Sequence, residues 1–184
     1  MHITLPLTTE ITTTLRAGDA VTLSGEIYTA RDAAHARLCA LLDAGETLPF
    51  KLRGATIYYA GPAPAAPERV IGSVGPTTSY RMDAYAPRLI RLGQLGMIGK
   101  GERSADVAAA MRECGAVYFA AAGGAGALLS ECVKAAEPVA FPELGAEAIL
   151  RLTVEDFPCI VAVDCHGGDL YADGRREFLA SKKR

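Results

Sequence analysis

The chain has 184 residues, half of them apolar, with 19 glycines, 10 prolines and a formal charge of −2. This length suits one domain with its own core, which we take to span 1–184. Because acids and bases are mixed along the chain, the basic stripe that nucleic acid requires is not expected. No apolar run reaches membrane-spanning length, and the segment after Met1 does not resemble a signal peptide. We therefore expect a cytoplasmic protein.

The cysteines are odd in number and scattered along the chain: Cys39, Cys114, Cys132, Cys159 and Cys165. Because the sequence contains no C-x-x-C pair, it predicts neither a zinc ribbon nor a complete ligand set for an iron–sulfur cluster. Reduced and mostly buried thiols are the state expected in a cytosolic protein. No metal site is predicted in this chain.

Periodicity and turn residues predict alternating strands and helices after an extended lead-in over about 1–15. The predicted strands are Val21–Ser24, Ala55–Ala60, Arg69–Val74, Ala116–Ala121, a segment from Glu137, Leu150–Glu155 and Ile160–Asp164. The predicted helices run from Thr29 to Gly45, from Asp83 to Leu92 with a kink or late start at Pro87, from Ser104 to Cys114, from Ala127 to Ala136 and from Leu144 to Ile149. A hairpin turn is predicted at His166–Asp169 and a frayed basic tail at about 176–184.

The stretch Gly75–Asp83 joins a predicted strand to a predicted helix. Thr77, Thr78 and Ser79 supply hydroxyls there, and Arg81 supplies a guanidinium. Free backbone N–H groups, hydroxyl donors and a cation at such a junction predict an anion-binding site. The alternative is a helix cap, because serine and threonine are favoured at that position for local reasons.

Arg31 is unusual because a cation in the first turn of a helix opposes the helix dipole. It is either a solvated residue paired with Asp32, or a second carboxylate-binding residue beside Arg81. Lys100, between two glycines at a predicted strand end, would add a further cation. His35, one helical turn after Arg31, is interpreted as a packing residue.

The glycine turn Gly123–Gly126 lies between a predicted strand and a predicted helix, as in dinucleotide-binding folds. Leu129 occupies the position of the third small residue of that fingerprint, so nucleotide binding is kept only as an alternative. The turn could instead present its N–H groups to a small carboxylate.

Five blocks together resemble the class I, iron–sulfur-dependent fumarate hydratase and L-tartrate dehydratase family. The blocks are SGEIYTARDAAHARL, GPTTSYRMD, IGKG, AAGGAGALL and LRLTVEDFPCIVAVDCHGGDLY. They extend over residues 15 to 175 and match the β subunit, which is the C-terminal domain of single-chain members. The resemblance implies a swivelling three-layer β/β/α domain within the α/β class.

The resemblance also implies that the active site is shared with an α subunit, which holds a [4Fe–4S] cluster. Arg31, Arg81, Lys100 and Thr78 would bind a dicarboxylate substrate, and Thr77 would be catalytic, close to the carbon that loses a proton. An acidic residue of the α subunit would complete the proton relay. The assembly would be an α2β2 hetero-oligomer, and the isolated chain could self-associate.

The resemblance leaves the substrate open between fumarate and malate, tartrate, or a methylated relative. Fumarate hydration to L-malate is the first hypothesis, and L(+)-tartrate dehydration is the alternative. Tyr80 stands where fumarases of the family carry glycine, which affects the pocket beside Arg81. A third hypothesis, an organic-acid-binding module without catalysis, would also explain Arg31, Arg81 and Lys100.

Overall fold

The computed structural model describes residues 1–182, in which seven strands and six α-helices form a mixed α/β fold. The strands are β1 His2–Thr4, β2 Ala20–Thr29, β3 Thr56–Tyr58, β4 Gly96–Gly99, β5 Val117–Ala120, β6 Val133–Ala140 and β7 Ile149–Val163. The helices are α1 Thr9–Thr12, α2 Asp32–Asp43, α3 Ala86–Arg91, α4 Ala105–Cys114, α5 Gly126–Glu131 and α6 Leu170–Ser181. No helix in this range is both long and apolar enough to cross a membrane.

Strands β1 to β5 pair in parallel and in chain order. Strand β7 is antiparallel to β2, β5 and β6. Because β7 pairs with both β2 and β5, the pairings form the closed cycle β2–β3–β4–β5–β7. The predicted α/β class is confirmed, and the swivelling three-layer arrangement stays a prediction.

Strand β2 is longer than the predicted strand Val21–Ser24, because it continues to Thr29. Thr29 does not cap α2. Its buried hydroxyl donates to the carbonyl of Ala148 at 3.2 Å and accepts the N–H of Leu150 at 3.0 Å. Arg31 therefore stands at the N-cap of α2 rather than in its first turn.

The strand predicted at Arg69–Val74 is wrong, because this segment is a loop. Val70 is 51% exposed, while Ile71 and Val74 are buried. The Val74 carbonyl accepts a hydrogen bond from the hydroxyl of Tyr58 at 2.6 Å instead of joining a strand ladder. A loop anchored by two apolar side chains thus has the local pattern of a buried strand.

Other boundaries also differ from the prediction. The lead-in contains β1 and α1, and Thr8 caps α1. The helix predicted at Ala127–Ala136 ends at Glu131, after which the chain enters β6. The strands predicted at Leu150–Glu155 and Ile160–Asp164 are parts of the single strand β7.

The turn His166–Asp169 opens a helix rather than a hairpin. The Asp169 carboxylate accepts the N–H of Tyr171 at 2.9 Å and so caps α6, which the sequence analysis missed. The predicted frayed tail overlaps the end of α6, and Lys183 and Arg184 lie outside the described residues. In contrast, the capping of α4 by Ser104 and the late start of α3 at Pro87 are confirmed.

His35 lies fully buried on α2, directly under the turn that carries Arg31. Its Nδ1 donates to the Arg31 carbonyl at 2.8 Å, and its ring packs edge-on against Tyr59. Burial lowers the pKa of His35 from 6.5 to about 4, although the bond to Arg31 opposes this shift. The ring is therefore neutral at physiological pH and acts as a packing residue.

We expect the free energy of unfolding to fall as the pH is lowered from about 6.5 to about 4. In this window the unfolded chain binds a proton at His35 that the folded chain excludes, which costs up to about 3 kcal/mol at the acidic end. Urea titrations across the window should show a flatter pH dependence for His35→Gln than for the parent chain. His2→Gln, at a half-exposed strand position, is the control. Equal pH dependence in the parent and His35→Gln would contradict the assignment.

Candidate active site

The loops after β2 to β5 lie along one edge of the sheet, because the carboxyl ends of parallel strands meet there. Arg31 comes shortly after β2, and Lys100 directly follows β4. The loop that carries Thr77 returns to the end of β3, where its N–H donates to the carbonyl of Tyr59 at 2.7 Å. The turn that contains Gly123 follows β5. The sequence-predicted site residues thus share one edge of the fold.

Thr77 and Thr78 run beside β3 and β4 instead of capping a helix. The Thr77 hydroxyl donates to the carbonyl of Tyr59 at 2.9 Å. Thr78 forms an isolated parallel bridge with Lys100, and the N–H of Ser79 donates to the Lys100 carbonyl at 2.9 Å. Although Thr78 precedes a 3₁₀ turn, its side chain makes no capping hydrogen bond within the described chain. The helix-cap alternative is therefore not supported.

Lys100 reaches over the glycine turn. A Cβ atom added at Gly123 would lie 3.8 Å from Lys100 Nζ. The start of α5 is closed by the neighbouring loop, since a Cβ at Gly126 would lie 2.5 Å from Ser73 Oγ and 2.9 Å from the Gly75 nitrogen. The glycine at position 126 is therefore explained by packing against this loop and does not require a bound phosphate, which argues against the nucleotide-binding alternative.

Arg31 and Arg81 lie on either side of one carboxylate oxygen. Asp32 Oδ1 is 3.9 Å from Arg31 Nε and 3.8 Å from Arg81 Nη1. The shortest ion pair of Arg31 is with Glu147, at 3.1 Å. Both side chains are partly exposed, at 22% for Arg31 and 35% for Arg81. They are thus close together and accessible from solvent.

A layer of buried hydrogen bonds supports these loops. Because Tyr118 donates its hydroxyl hydrogen to the Gly101 carbonyl at 3.0 Å, the Ser79 hydroxyl donates to Tyr118 at 2.8 Å. Gly101 in turn donates its N–H to the hydroxyl of Tyr171 at 3.0 Å. Burial raises the pKa of Tyr118, so its phenol stays protonated. A Cβ at Gly99 would lie 2.0 Å from Ser79 Oγ, which explains the glycine before Lys100.

Arg103 is a buried cation that the sequence analysis missed. Its side chain is 1% exposed, and its Nε donates to Asp83 Oδ1 at 2.8 Å. The second oxygen of Asp83 accepts the N–H of Ser104 at 2.6 Å. The guanidinium lies 5.2 Å from the ring centroid of Tyr59 and 4.9 Å from that of Tyr118. Arg103 is thus neutralised internally and fixes the loops instead of binding a ligand.

The described residues do not fit an iron–sulfur cluster. Within residues 1–182, no group of three His, Cys, Asp or Glu side chains could hold a metal ion. All five cysteines are free, and burial raises the pKa of each thiol. A raised pKa favours the thiol over the thiolate that binds metals.

The chain was compared with known families and proteins. The family model described as fumarase C-terminus matches residues 1–174. The anaerobic class I fumarate hydratase of Escherichia coli K12 is 44% identical over 153 residues, which are 82% of this chain and 28% of that protein. Fumarate hydratase 2 of Leishmania major is 41% identical over 157 residues, which are 84% of this chain and 28% of that protein.

A relative of similar length is a protein of Methanocaldococcus jannaschii whose provisional name is L(+)-tartrate dehydratase subunit beta. It is 42% identical over 165 residues, which are 86% of this chain and 85% of that subunit. The chain thus spans little more than a quarter of the fumarate hydratases but most of the dehydratase subunit. The chain belongs to the fumarase C-terminal family, in which class I fumarate hydratases and a tartrate dehydratase β subunit are its relatives.

Proposed function

We propose that this chain is the β subunit of an iron–sulfur hydro-lyase that reversibly hydrates fumarate to L-malate. The observation that carries the proposal is the meeting of Arg31, Arg81, Lys100, Thr77 and Thr78 at one sheet edge. Three cations and two hydroxyls are a suitable set for a substrate with two carboxylates. The chain itself provides a binding surface and one hydroxyl for proton transfer, so the rest of the site must come from another subunit.

The proposed partner is an α subunit that carries the [4Fe–4S] cluster. The relative named as a β subunit supports it, since that protein has nearly the length of this chain. An exposed apolar groove of about 740 Å³ gives further support, with Leu128 69% exposed and Ile160 47% exposed on its wall. Met1 also lines this groove. We assign the groove to the α subunit, over which this domain would swivel to close the site.

In the assembled site, Arg31 and Arg81 would each bind one end of the dicarboxylate. Lys100, which reaches over the glycine turn, would neutralise charge between them, and Thr78 would donate a hydrogen bond. The cluster, when bound by the α subunit, would supply an open iron that acts as a Lewis acid on the leaving hydroxyl. Closing the site would exclude water and strengthen these charge interactions.

Thr77 is the proposed proton-transfer group. Its hydroxyl hydrogen is directed at the carbonyl of Tyr59, which cannot act as a base. A threonine hydroxyl takes a proton from carbon only if another group accepts its own proton. An acidic residue of the α subunit would accept that proton, which is why the free chain would not catalyse the reaction.

L(+)-tartrate is the second candidate substrate. The observation that favours it is the match to 85% of the relative named as a tartrate dehydratase subunit. Tyr80, beside Arg81, is 66% exposed and would face the incoming substrate from the rim. A methylated diacid remains a further possibility, and a simple organic-acid-binding module is the alternative without catalysis. That module would bind dicarboxylates without a partner.

The first test concerns the chain by itself. We expect the purified chain to fold but to show no fumarate hydration after anaerobic treatment with iron and sulfide, because its thiols do not form a cluster site. Addition of a three-cysteine partner subunit should produce activity with fumarate, and a parallel assay with L(+)-tartrate would identify the alternative. Turnover or a stable cluster in the isolated chain would refute the half-site proposal.

The second test concerns the arginines. Arg31→Met and Arg81→Met should each lower kcat/KM about tenfold or more in the assembled enzyme, since a charge-assisted hydrogen bond contributes about 1.5–3 kcal/mol. Arg81→Met should change the free energy of unfolding little, whereas Arg31→Met removes the ion pair with Glu147 and should lower it modestly. Arg91→Met, which removes an exposed arginine paired with Glu113, is the matched control. An arginine whose loss leaves the kinetics unchanged has no role in substrate binding.

The third test concerns Thr77. Thr77→Val keeps the side-chain shape, so substrate affinity should stay near normal while kcat falls by about 10²–10⁴. Thr77→Ser should retain part of the activity. Exchange of the substrate C3 hydrogen with solvent reports the proton step directly. If Thr77→Val exchanges that hydrogen at the parent rate, another group transfers the proton.

A further inference from the structure

Arg31 has two carboxylates nearby but forms a close ion pair with only one of them. Its Nη2 lies 3.1 Å from Glu147 Oε1, whereas its Nε lies 3.9 Å from Asp32 Oδ1. The first distance is within hydrogen-bond range and the second is not. Arg31 Nε and Asp32 Oδ1 are both buried and have no hydrogen-bond partner among the described residues. A buried donor and a buried acceptor are thus left apart, at a cost in free energy.

Asp32 is also too far from Arg81 for a hydrogen bond. The same oxygen, Asp32 Oδ1, lies 3.8 Å from Arg81 Nη1. A shift of about 1 Å would therefore bond this carboxylate to either guanidinium, because charged hydrogen bonds form at about 2.7–2.9 Å. Something must hold Arg31 back from a partner that would satisfy it.

Glu147 is anchored independently of Arg31, so it can hold that guanidinium in place. Its second oxygen, Oε2, accepts the N–H of Ala33 at 3.1 Å at the start of α2, where the helix dipole favours an anion. The segment around Glu147 is also tied to α2 through the ion pair between Glu143 and Arg37, at 3.1 Å. Gly61 leaves this segment room, since a Cβ there would lie 2.8 Å from the Ala146 carbonyl.

We infer that Glu147 is a positioning residue that draws Arg31 away from Asp32 and so keeps the two arginines free for a dicarboxylate. This inference rests on the proposed role of Arg31 and Arg81 in substrate binding. With Glu147 in place, Nη1 of Arg31 remains available to a substrate carboxylate. Without it, Arg31 would bond to Asp32, and the substrate would have to break that ion pair before binding.

Glu147 would also repel a substrate dianion, which would weaken binding instead of favouring it. The contacts of Glu147 indicate which of these two effects is larger. The charge of Glu147 is balanced by Arg31 and by the N-terminus of α2, so little of it acts on the substrate. In contrast, an Arg31–Asp32 bond would cancel the charge of Arg31 where the substrate needs it. Loss of Glu147 should therefore weaken binding, and the additional loss of Asp32 should restore it.

The position of Arg31 can be tested without any enzymatic activity. In the isolated chain, the ¹⁵N-correlated NMR signal of Arg31 Nε–H should shift downfield and exchange more slowly with water in Glu147→Gln, because the group now donates to Asp32. The signal is assigned by its loss in Arg31→Lys. If the introduced glutamine amide still holds Arg31 in place, Glu147→Ala provides the same test. Glu143→Gln removes a similar ion pair on the same segment and should leave the signal unchanged. An unchanged signal in both Glu147 variants of a folded chain would overturn the inference.

The effect on binding is tested with succinate, an unreactive dicarboxylate, titrated into the assembled enzyme. Glu147→Gln should weaken succinate binding about tenfold, as expected for the loss of one charge-assisted hydrogen bond. Adding Asp32→Asn to it should recover most of the loss, and this non-additivity distinguishes positioning from a general structural defect. If succinate does not bind the parent enzyme, the proposed function fails, while the NMR result still decides the role of Glu147. Equal loss in the single and double variants would overturn the inference.

Discussion

The double pairing of β7 is the constraint on which the site depends. Ile160 of β7 is paired with Ala20 of β2 on one side and with Ala120 of β5 on the other. This contact links the first and last strands of the cycle, so the intervening parallel strands have fixed positions relative to one another. The loops after these strands therefore meet at one edge, although Arg31 and Gly123 are far apart in the sequence. Ligand sites in parallel sheets commonly form at such an edge.

The polar groups at this edge form two sets with different partners. The groups of the first set bond to the protein itself and so fix the loop positions; they are Ser79, Tyr118, Arg103 and Asp83. Removing one partner of a buried ion pair such as Arg103–Asp83 costs about 3–5 kcal/mol, so this set is rigid. The second set has a net charge of one positive unit, with three cations against the two carboxylates of Asp32 and Glu147. Its cationic side chains are at least partly exposed: Arg31, Arg81 and Lys100. The rigid set carries the loops, and the incompletely balanced set is left for an anion.

The sequence singled out the exposed cations at this edge more readily than the groups that support them. Arg31 was recognisable because a cation at a helix start departs from a local preference, whereas Lys100, between glycines at a strand end, gave only a weak signal. Tyr118 and Arg103 lack such a signal, since a tyrosine in a buried strand and an arginine in a loop are ordinary in sequence. Their role depends on contacts with segments distant in the chain. The same limitation explains the strand wrongly predicted at Arg69–Val74. A local apolar pattern cannot distinguish a buried strand from a loop that is anchored by apolar side chains.

The supporting network also bears on the proposal that a second subunit completes the site. Thr77 donates its hydrogen to a backbone carbonyl, Tyr118 is kept protonated by burial, and His35 is neutral but buried against Tyr59. Asp83, the carboxylate nearest in sequence to Thr77, is already bonded to Arg103 and to the N–H of Ser104. Each of these four groups is thus occupied or buried. Under the proposed function, this edge of the fold is a binding surface, and the base would come from the subunit that covers it.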